Sequence, residues 1–253
     1  MKQYSWEIRL GIILVLCSLA IYTAKFLVLG DPENTYYYFF NAIGFLPINV
    51  LFVTLIINQL LSMRSKKERM EKLNMVIGTF FSEVGTRLLT YVSDCDPELD
   101  SIRSLLIVGN NWSDEDFRKV RSDLSSYSFT AHMTGDTLME IRHFLQEKRN
   151  FLLRLLENPV LLEHQDFTDL LRAVFHLTEE LERREDIDII PETDLIHLSG
   201  DVNRIYRLIT FEWLSYMRYL EKNYPYLFSL AIRTNPFDCL LYTSDAADEE
   251  DSV

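Results

Sequence analysis

Apolar residues follow two patterns along this chain. In the first sixty residues they form nearly unbroken runs. From Met70 onward they return at intervals of three and four between charged positions. The first pattern predicts helices apolar all round, and the second predicts helices with one buried face.

The first run, Ile8 to Leu29, has 22 residues and is interrupted only by Arg9 and Lys25 as charges. About 20 apolar residues cross the hydrocarbon core of a bilayer, so this run is long enough to span. Thr23-Ala24-Lys25 is a poor cleavage site for a signal peptide, which favours an anchor. Gly30 to Thr35 reads as a turn, with Asp31-Pro32 and Asn34 as breakers. Tyr36, Tyr37, Tyr38, Phe39 and Phe40 then cluster where the chain re-enters, as amphipathic rings do at a membrane surface. The second run is Phe39 to Leu61. Pro47 inside it removes a backbone donor and predicts a local kink. Asn49 near its middle predicts a hydrogen bond to a neighbouring helix or to carbonyls freed by Pro47, or alternatively a polar step in a transport path.

Charge sets the orientation. Arg64, Lys66, Lys67, Arg69 and Lys72 crowd the exit of the second run, and the loop between the runs has no Lys or Arg. The positive-inside rule then places the N-terminus and everything after Leu61 in the cytoplasm.

The second pattern begins where the first ends. Met70, Leu73, Ile77, Phe80 and Val84 are spaced 3-4-3-4. The register slips at Arg87 and resumes at Leu88 and Tyr91. One helix is therefore expected to continue from the second span to about Val92 as an amphipathic shaft. Gly78, Ser82 and Gly85 form a stripe of small residues beside the apolar one. Glycine costs a helix about 1 kcal/mol, so the stripe asks for a close neighbour. That neighbour is either the chain's own domain or a second copy, meeting it through a seam that includes Ile77.

Further helices follow. A short one opens at Asp96-Pro97 and ends near Val108, before Gly109-Asn110-Asn111. Ser113 and Asp116 have capping-box spacing and start the next, to about Ser125. Asp136 is expected to cap a helix to Glu157, stopped by Asn158-Pro159, and Asp166 one to about Arg184. Ile187 to Pro191 reads as a connector with a short extended stretch. Thr193 or Asp194 caps the longest, to about Asn223, and Tyr224-Pro225 restarts a short one to about Arg233. Three of them carry apolar stripes at the helical period: Leu138, Ile141, Leu145, Leu152, Leu156; then Phe167, Leu170, Leu171, Val174, Phe175, Leu181; then Leu195, Leu198, Val202, Ile205, Ile209, Trp213, Tyr216, Leu220. Short links between long helices favour an antiparallel bundle. The aromatic residues between Tyr206 and Phe228 fall on several sides of their helices, which points to burial or to a contact surface.

Composition changes this picture little. The 253 residues carry a net charge of −13, while residues 1–62 hold three basic and three acidic side chains. The acidity lies in the remainder, which argues against nucleic acid as a partner. Cys17 and Cys95 fall in unlike surroundings and suggest no disulfide. The eleven residues from Cys239 to Glu249 resemble the translated adapter of a transposase-made sequencing library. The tail 239–253 is accordingly expected to be non-native, with the natural chain interrupted near Asp238.

Candidate chemistry is sparse. Glu140-Ile-Arg-His143 has the Glu-x-x-His spacing of di-iron bundle proteins, but no second copy exists and His143 lies opposite the apolar stripe. His176 with Glu180, and His197 with Asp201, also project away from their stripes. Outer faces can meet, so His143, His176, Glu180 and His197 are the candidates for a zinc or iron site between helices. No P-loop, G-x-G-x-x-G or G-x-S-x-G occurs, Cys95 has no neighbouring His, and no cofactor is called for.

Three stretches carry a family likeness: Phe45 to Ile57, Glu71 to Gly85, and Tyr224 to Phe237. They resemble an uncharacterised family of two-span prokaryotic membrane proteins with a cytosolic helical domain. The resemblance implies a setting in the cell (inner) membrane and no known activity. The expectation is an all-α protein: a membrane anchor over 1–62, a juxtamembrane helix over 63–92 and a helical bundle over 93–238. It is read as a non-enzymatic interaction or regulatory module. The alternatives are a metal-binding enzyme or sensor and, more weakly, a small oligomeric transporter. The expected partners are the lipid bilayer, a second copy through the juxtamembrane helix and an unidentified protein. The expected interaction residues are Asn49, Ile77, Gly78, Ser82 and Gly85.

Overall fold

The computed structural model describes residues 4–29, 32–109, 111–184 and 191–238, and among these every regular element is helical. The tail with the adapter-like sequence lies outside the described residues, as do residues 185–190, which hold most of the expected extended connector. The chain divides into two compact units, Met1–Lys66 and Lys67–Val253.

The first unit contains α1 (Tyr4–Leu29) and the first part of α2 (Pro32–Phe80), with Pro47 inside the latter. Lys25 places its ammonium 3.9 Å from the centre of the Tyr38 ring, so the two helices meet there. Little else is covered: every side chain from Tyr36 to Arg64 is exposed, although most are apolar. By length and composition, the helix that begins in this stretch can cross a membrane. The apolar part of α1, Ile12–Lys25, is shorter.

The second unit starts in the same helix. Leu73, Ile77 and Phe80 are buried in its core, and Phe80 is wholly enclosed. After Phe80 the helix widens into one π turn, Phe81–Gly85, closed by the Thr86 N–H donating to the Phe81 carbonyl. It then resumes as α3 (Thr86–Asp94). A π turn inserts one extra residue into the helical register. That is the physical cause of the slip at Arg87: the buried positions run Phe80, Phe81, Val84, then Leu88 and Leu89. Gly85 makes the turn possible. A Cβ there would stand 2.6 Å from the Phe81 ring and 2.8 Å from the Phe80 ring.

The remaining elements are α4 (Leu99–Leu106), α5 (Asp114–Ser125), α6 (Gly135–Leu156), a 3-10 turn (Pro159–Glu163), α7 (Gln165–Glu182), α8 (Glu192–Asn223) and α9 (Pro225–Arg233). The most extensive pairings are α6 on α7 and α7 on α8, with α8 also touching α3, α5 and α9. The three expected stripes supply most of this core. Leu156, Phe175, Leu195 and Tyr216 lie half-buried at its margin, and Phe144 and Leu155 join α6's buried face.

Helix starts follow local hydrogen bonding. Ser113 and Asp116 form the expected capping box, with the Ser113 N–H donating to Asp116 Oδ2 at 2.7 Å. Two other caps differ from expectation. Thr134, not Asp136, caps α6 by accepting from the Thr137 N–H at 3.3 Å. His164, not Asp166, caps α7 through Nδ1, which accepts from the Phe167 N–H at 3.2 Å. In each case the acid sits inside the first turn, where it still favours the positive end of the helix dipole. No side chain caps α8, whose first turn holds Glu192 and Asp194.

Buried polar groups tie distant segments together. Asp96 Oδ1 accepts from the Glu98 N–H at 3.0 Å, and its Oδ2 accepts from the Tyr127 hydroxyl at 2.6 Å. Burial, reinforced by that carboxylate, pushes the Tyr127 phenol well above the ordinary range. Asn235 closes the C-terminal end: its Nδ2 donates to the Leu106 carbonyl at 2.9 Å, while its Oδ1 accepts from the Phe237 N–H at 3.0 Å.

Candidate metal cluster and buried-carboxylate cleft

Two places in the second unit gather chemistry. The first is the seam between α7 and α8. His197 and Asp201 are one turn apart on α8, so they share a face. His176 reaches the same point from α7. His176 Nε2 stands 3.7 Å and His197 Nε2 3.5 Å from Asp201 Oδ2, and the three donor atoms lie within 4.8 Å of one another. Both imidazoles are about half exposed. Asp201 is more enclosed, and its Oδ2 is buried without a hydrogen-bond partner.

Glu180 sits one turn beyond His176 on α7. It is engaged elsewhere: Arg184 Nη1 donates to its Oε2 at 2.6 Å and also to the Glu180 carbonyl. That guanidinium holds the Glu180 carboxyl below the ordinary range, with smaller contributions from His176 and His197 in their charged forms. Arg184 Nε in turn lies 3.6 Å from Asp194 on α8. His143 is exposed on α6 and takes no part in the cluster. Of the four metal candidates in the sequence, the fold therefore brings His176 and His197 together, keeps Glu180 beside them on an arginine, and separates His143. Asp201 completes the set.

The second place is a cleft of about 680 Å³ between α5, α7 and α8. Arg121, Arg204 and Arg207 line it together with Asp166 and Asp169. The Arg121 guanidinium lies 5.2 Å from the Phe211 ring centre and that of Arg207 lies 6.0 Å from it. Glu212 also lines the cleft. Its side chain is 5% exposed and makes no hydrogen bond among the described residues. Burial pushes its carboxyl up to about 7; the Asp166 charge adds to the shift and Arg121 opposes it. Glu212 is thus a buried acid that exchanges its proton near neutrality. The sequence carries one clue to it, an acidic residue between Phe211 and Trp213 in an aromatic run.

The expected interaction residues fall as follows. Ile77 is buried in its own unit's core. Gly78 faces Tyr216 of α8, whose hydroxyl oxygen would stand 2.5 Å from an added Cβ, and Tyr216 stacks on Phe81 at 5.5 Å. Gly85 is filled by Phe80 and Phe81, and Ser82 is exposed. The close neighbours of Gly78 and Gly85 are therefore the chain's own aromatic side chains. The seam drawn between two copies through Ile77 and Gly78 is occupied within one chain. Asn49 is exposed in a groove of α2 between Leu46, Val50 and Val53, and it makes no hydrogen bond among the described residues. The bond expected to carbonyls freed by Pro47 is not formed.

Comparison with known proteins matches both parts of the chain. Residues 2–61 match the model of the MJ1433 N-terminal helical domain, and residues 69–233 match that of the C-terminal helical domain of uncharacterized protein MJ1433. A relative from Methanocaldococcus jannaschii, named uncharacterized protein MJ1433, is 41% identical over 238 residues, covering 94% of this chain and 96% of the relative. No solved structure matches. The matched N-terminal model closes at Leu61, the last residue of the long apolar stretch, and the second model opens three residues after Lys66, where the compact units divide. The chain belongs to the family of uncharacterised, all-helical MJ1433 proteins.

Proposed function

We propose that the protein is a two-span anchor of the prokaryotic cell membrane that carries a cytosolic helical bundle as a regulatory interaction module. The observation that carries this reading is the uncovered apolar surface of α2. From Phe39 to Leu61 the side chains are predominantly apolar and every one is exposed. At 1.5 Å per residue such a stretch is roughly 34 Å long, enough to cross a hydrocarbon core of about 30 Å. In water it would form a contiguous apolar patch far larger than the few hundred Å² usual for a soluble monomer. The aromatic residues Tyr36 to Tyr38 suit one membrane surface, and the basic collar Arg64 to Lys72 suits the cytoplasmic one.

The helix that supplies the second span also supplies Leu73, Ile77 and Phe80 to the bundle core. A partner or ligand that shifts the bundle thus acts on a helix shared with the anchor, which is why the module is read as regulatory and not as a bare tether. A second copy of the chain is the partner that the exposed amide of Asn49 favours. An amide in hydrocarbon gains about 0.6–2 kcal/mol by bonding across a helix interface. With Ile77 and Gly78 occupied internally, the contact between copies belongs in the span.

Labelling of single cysteines in whole cells and in lysed cells tests the arrangement, starting from a Cys17→Ala, Cys95→Ala, Cys239→Ala background. A cysteine at Glu33 is expected to react with an impermeant maleimide in intact cells, and one at Ser126 only after lysis. Release of the chain from membranes by alkaline carbonate, or labelling of the Ser126→Cys variant in intact cells, would overturn the reading. Within the same membranes Asn49→Leu is expected to weaken cross-linking between copies several-fold.

A further inference from the structure

We infer that His176, His197 and Asp201 form a binding site for a divalent first-row transition-metal ion, with zinc as the reference ion. This goes beyond the membrane reading and does not depend on it.

Three features of the seam carry the inference. The donor set comes first: two imidazole nitrogens and one carboxylate oxygen are the ligands that borderline ions such as zinc, cobalt and nickel take. Spacing is the second. Ligands about 2.0–2.1 Å from a tetrahedral zinc stand about 3.3 Å from one another. The two nitrogens here stand 3.5 and 3.7 Å from the shared oxygen and all three donor atoms lie within 4.8 Å of one another, so rotations of the exposed imidazoles can close the site. The third is the state of that oxygen. Asp201 Oδ2 is buried and accepts no hydrogen bond, and the imidazole nitrogens stop short of hydrogen-bond distance. A buried acceptor without a donor is destabilising, and a cation held between the three groups removes that cost.

The arrangement also fixes what kind of site it is. Three protein ligands leave at least one position open on the exposed side of the imidazoles, as in sites where water or an exogenous ligand completes the shell. Glu180 is held by Arg184 and is not counted as a ligand. Because His176 belongs to α7 and the other two to α8, the ion joins two helices whose connection runs through residues 185–190.

The test uses the full chain in detergent, stripped of metal with a chelator and then titrated with Zn²⁺ and separately with Co²⁺. One equivalent of Zn²⁺ is expected to saturate the protein. Co²⁺ is expected to produce visible absorption bands of four- or five-coordinate geometry with nitrogen and oxygen ligands. His176→Ala, His197→Ala and Asp201→Asn should each weaken Zn²⁺ binding at least about tenfold, while His143→Ala leaves it unchanged. All three side chains sit at the margin of the core, and retained helical circular dichroism in each variant confirms that folding survives. Absence of saturable Zn²⁺ binding, or binding that persists undiminished in the His176→Ala/His197→Ala double variant, would overturn the site. Neither result touches the topology measurement, so the two proposals fail separately.

Discussion

Phe80→Ala is expected to lose about 3–5 kcal/mol of unfolding free energy, the range for removing a buried phenylalanine from a core that cannot collapse around the gap. Phe80 has no exposed surface. Its ring meets Phe81 edge-on at 5.5 Å and Phe167 of α7 edge-on at 5.3 Å, and it fills space left by the missing side chain of Gly85. The backbone beside it is a π turn, in which the Thr86 N–H donates to the Phe81 carbonyl. A glycine on one side and a neighbouring helix on the other leave nothing flexible to move in. Phe175→Ala is the matched control: it removes the same ring from a half-buried position on α7 and should cost distinctly less. Denaturant unfolding of the detergent-solubilised chain, followed by tryptophan fluorescence, measures both. Equal losses in the two variants would show that the π turn and its rings are not the anchor of the second unit.

The contrast between Phe80 and Phe175 also shows how much of this molecule could be read from its sequence. Periodicity alone put both on apolar stripes, and it located the α6, α7 and α8 cores well because a 3.6-residue repeat is a property of one helix. What lies between helices is another matter. Phe175 is at the edge because of how α7 is rotated against α8, and no single-helix pattern encodes that rotation. The histidines follow the same logic. Each was visible as an outer-face residue, but only the packing of α7 on α8 decides that His176 meets His197 and Asp201 while His143 stands apart. The π turn was legible as a slip in register at Arg87, without its cause. Caps fall two residues before the expected acid where several capping side chains compete, as at Thr134 and Asp136 or at His164 and Asp166. Glu212 escaped because acids in an amphipathic helix are normally solvated, and its burial is a consequence of the three-helix cleft around it.

Glu212 makes the last prediction, which concerns the dependence of stability on pH. Its carboxyl is raised from an ordinary 4.5 to about 7 in the folded chain, mainly by burial. Because the folded value exceeds the unfolded one, the unfolded state releases the proton first as pH rises. The neutral acid's favourable contribution is complete below about pH 4.5, declines between 4.5 and 7, and is gone above that. A shift of this size corresponds to about 3 kcal/mol across the window. Glu212→Gln keeps the shape and cannot ionise. Relative to wild type it should therefore gain stability from pH 5 to about pH 7 and then level off, by about 2–3 kcal/mol, whatever fixed cost or benefit the amide has at pH 5. Reading the change in the difference cancels the other titrating groups, except for the nearby Asp166 and Arg121. Arg121→Gln removes the cation that opposes the shift and should extend the wild-type decline to higher pH. A stability difference between Glu212→Gln and wild type that stays flat from pH 5 to pH 8 would mean that Glu212 is ionised throughout. The cleft's arginines, not its burial, would then govern the charge at its floor.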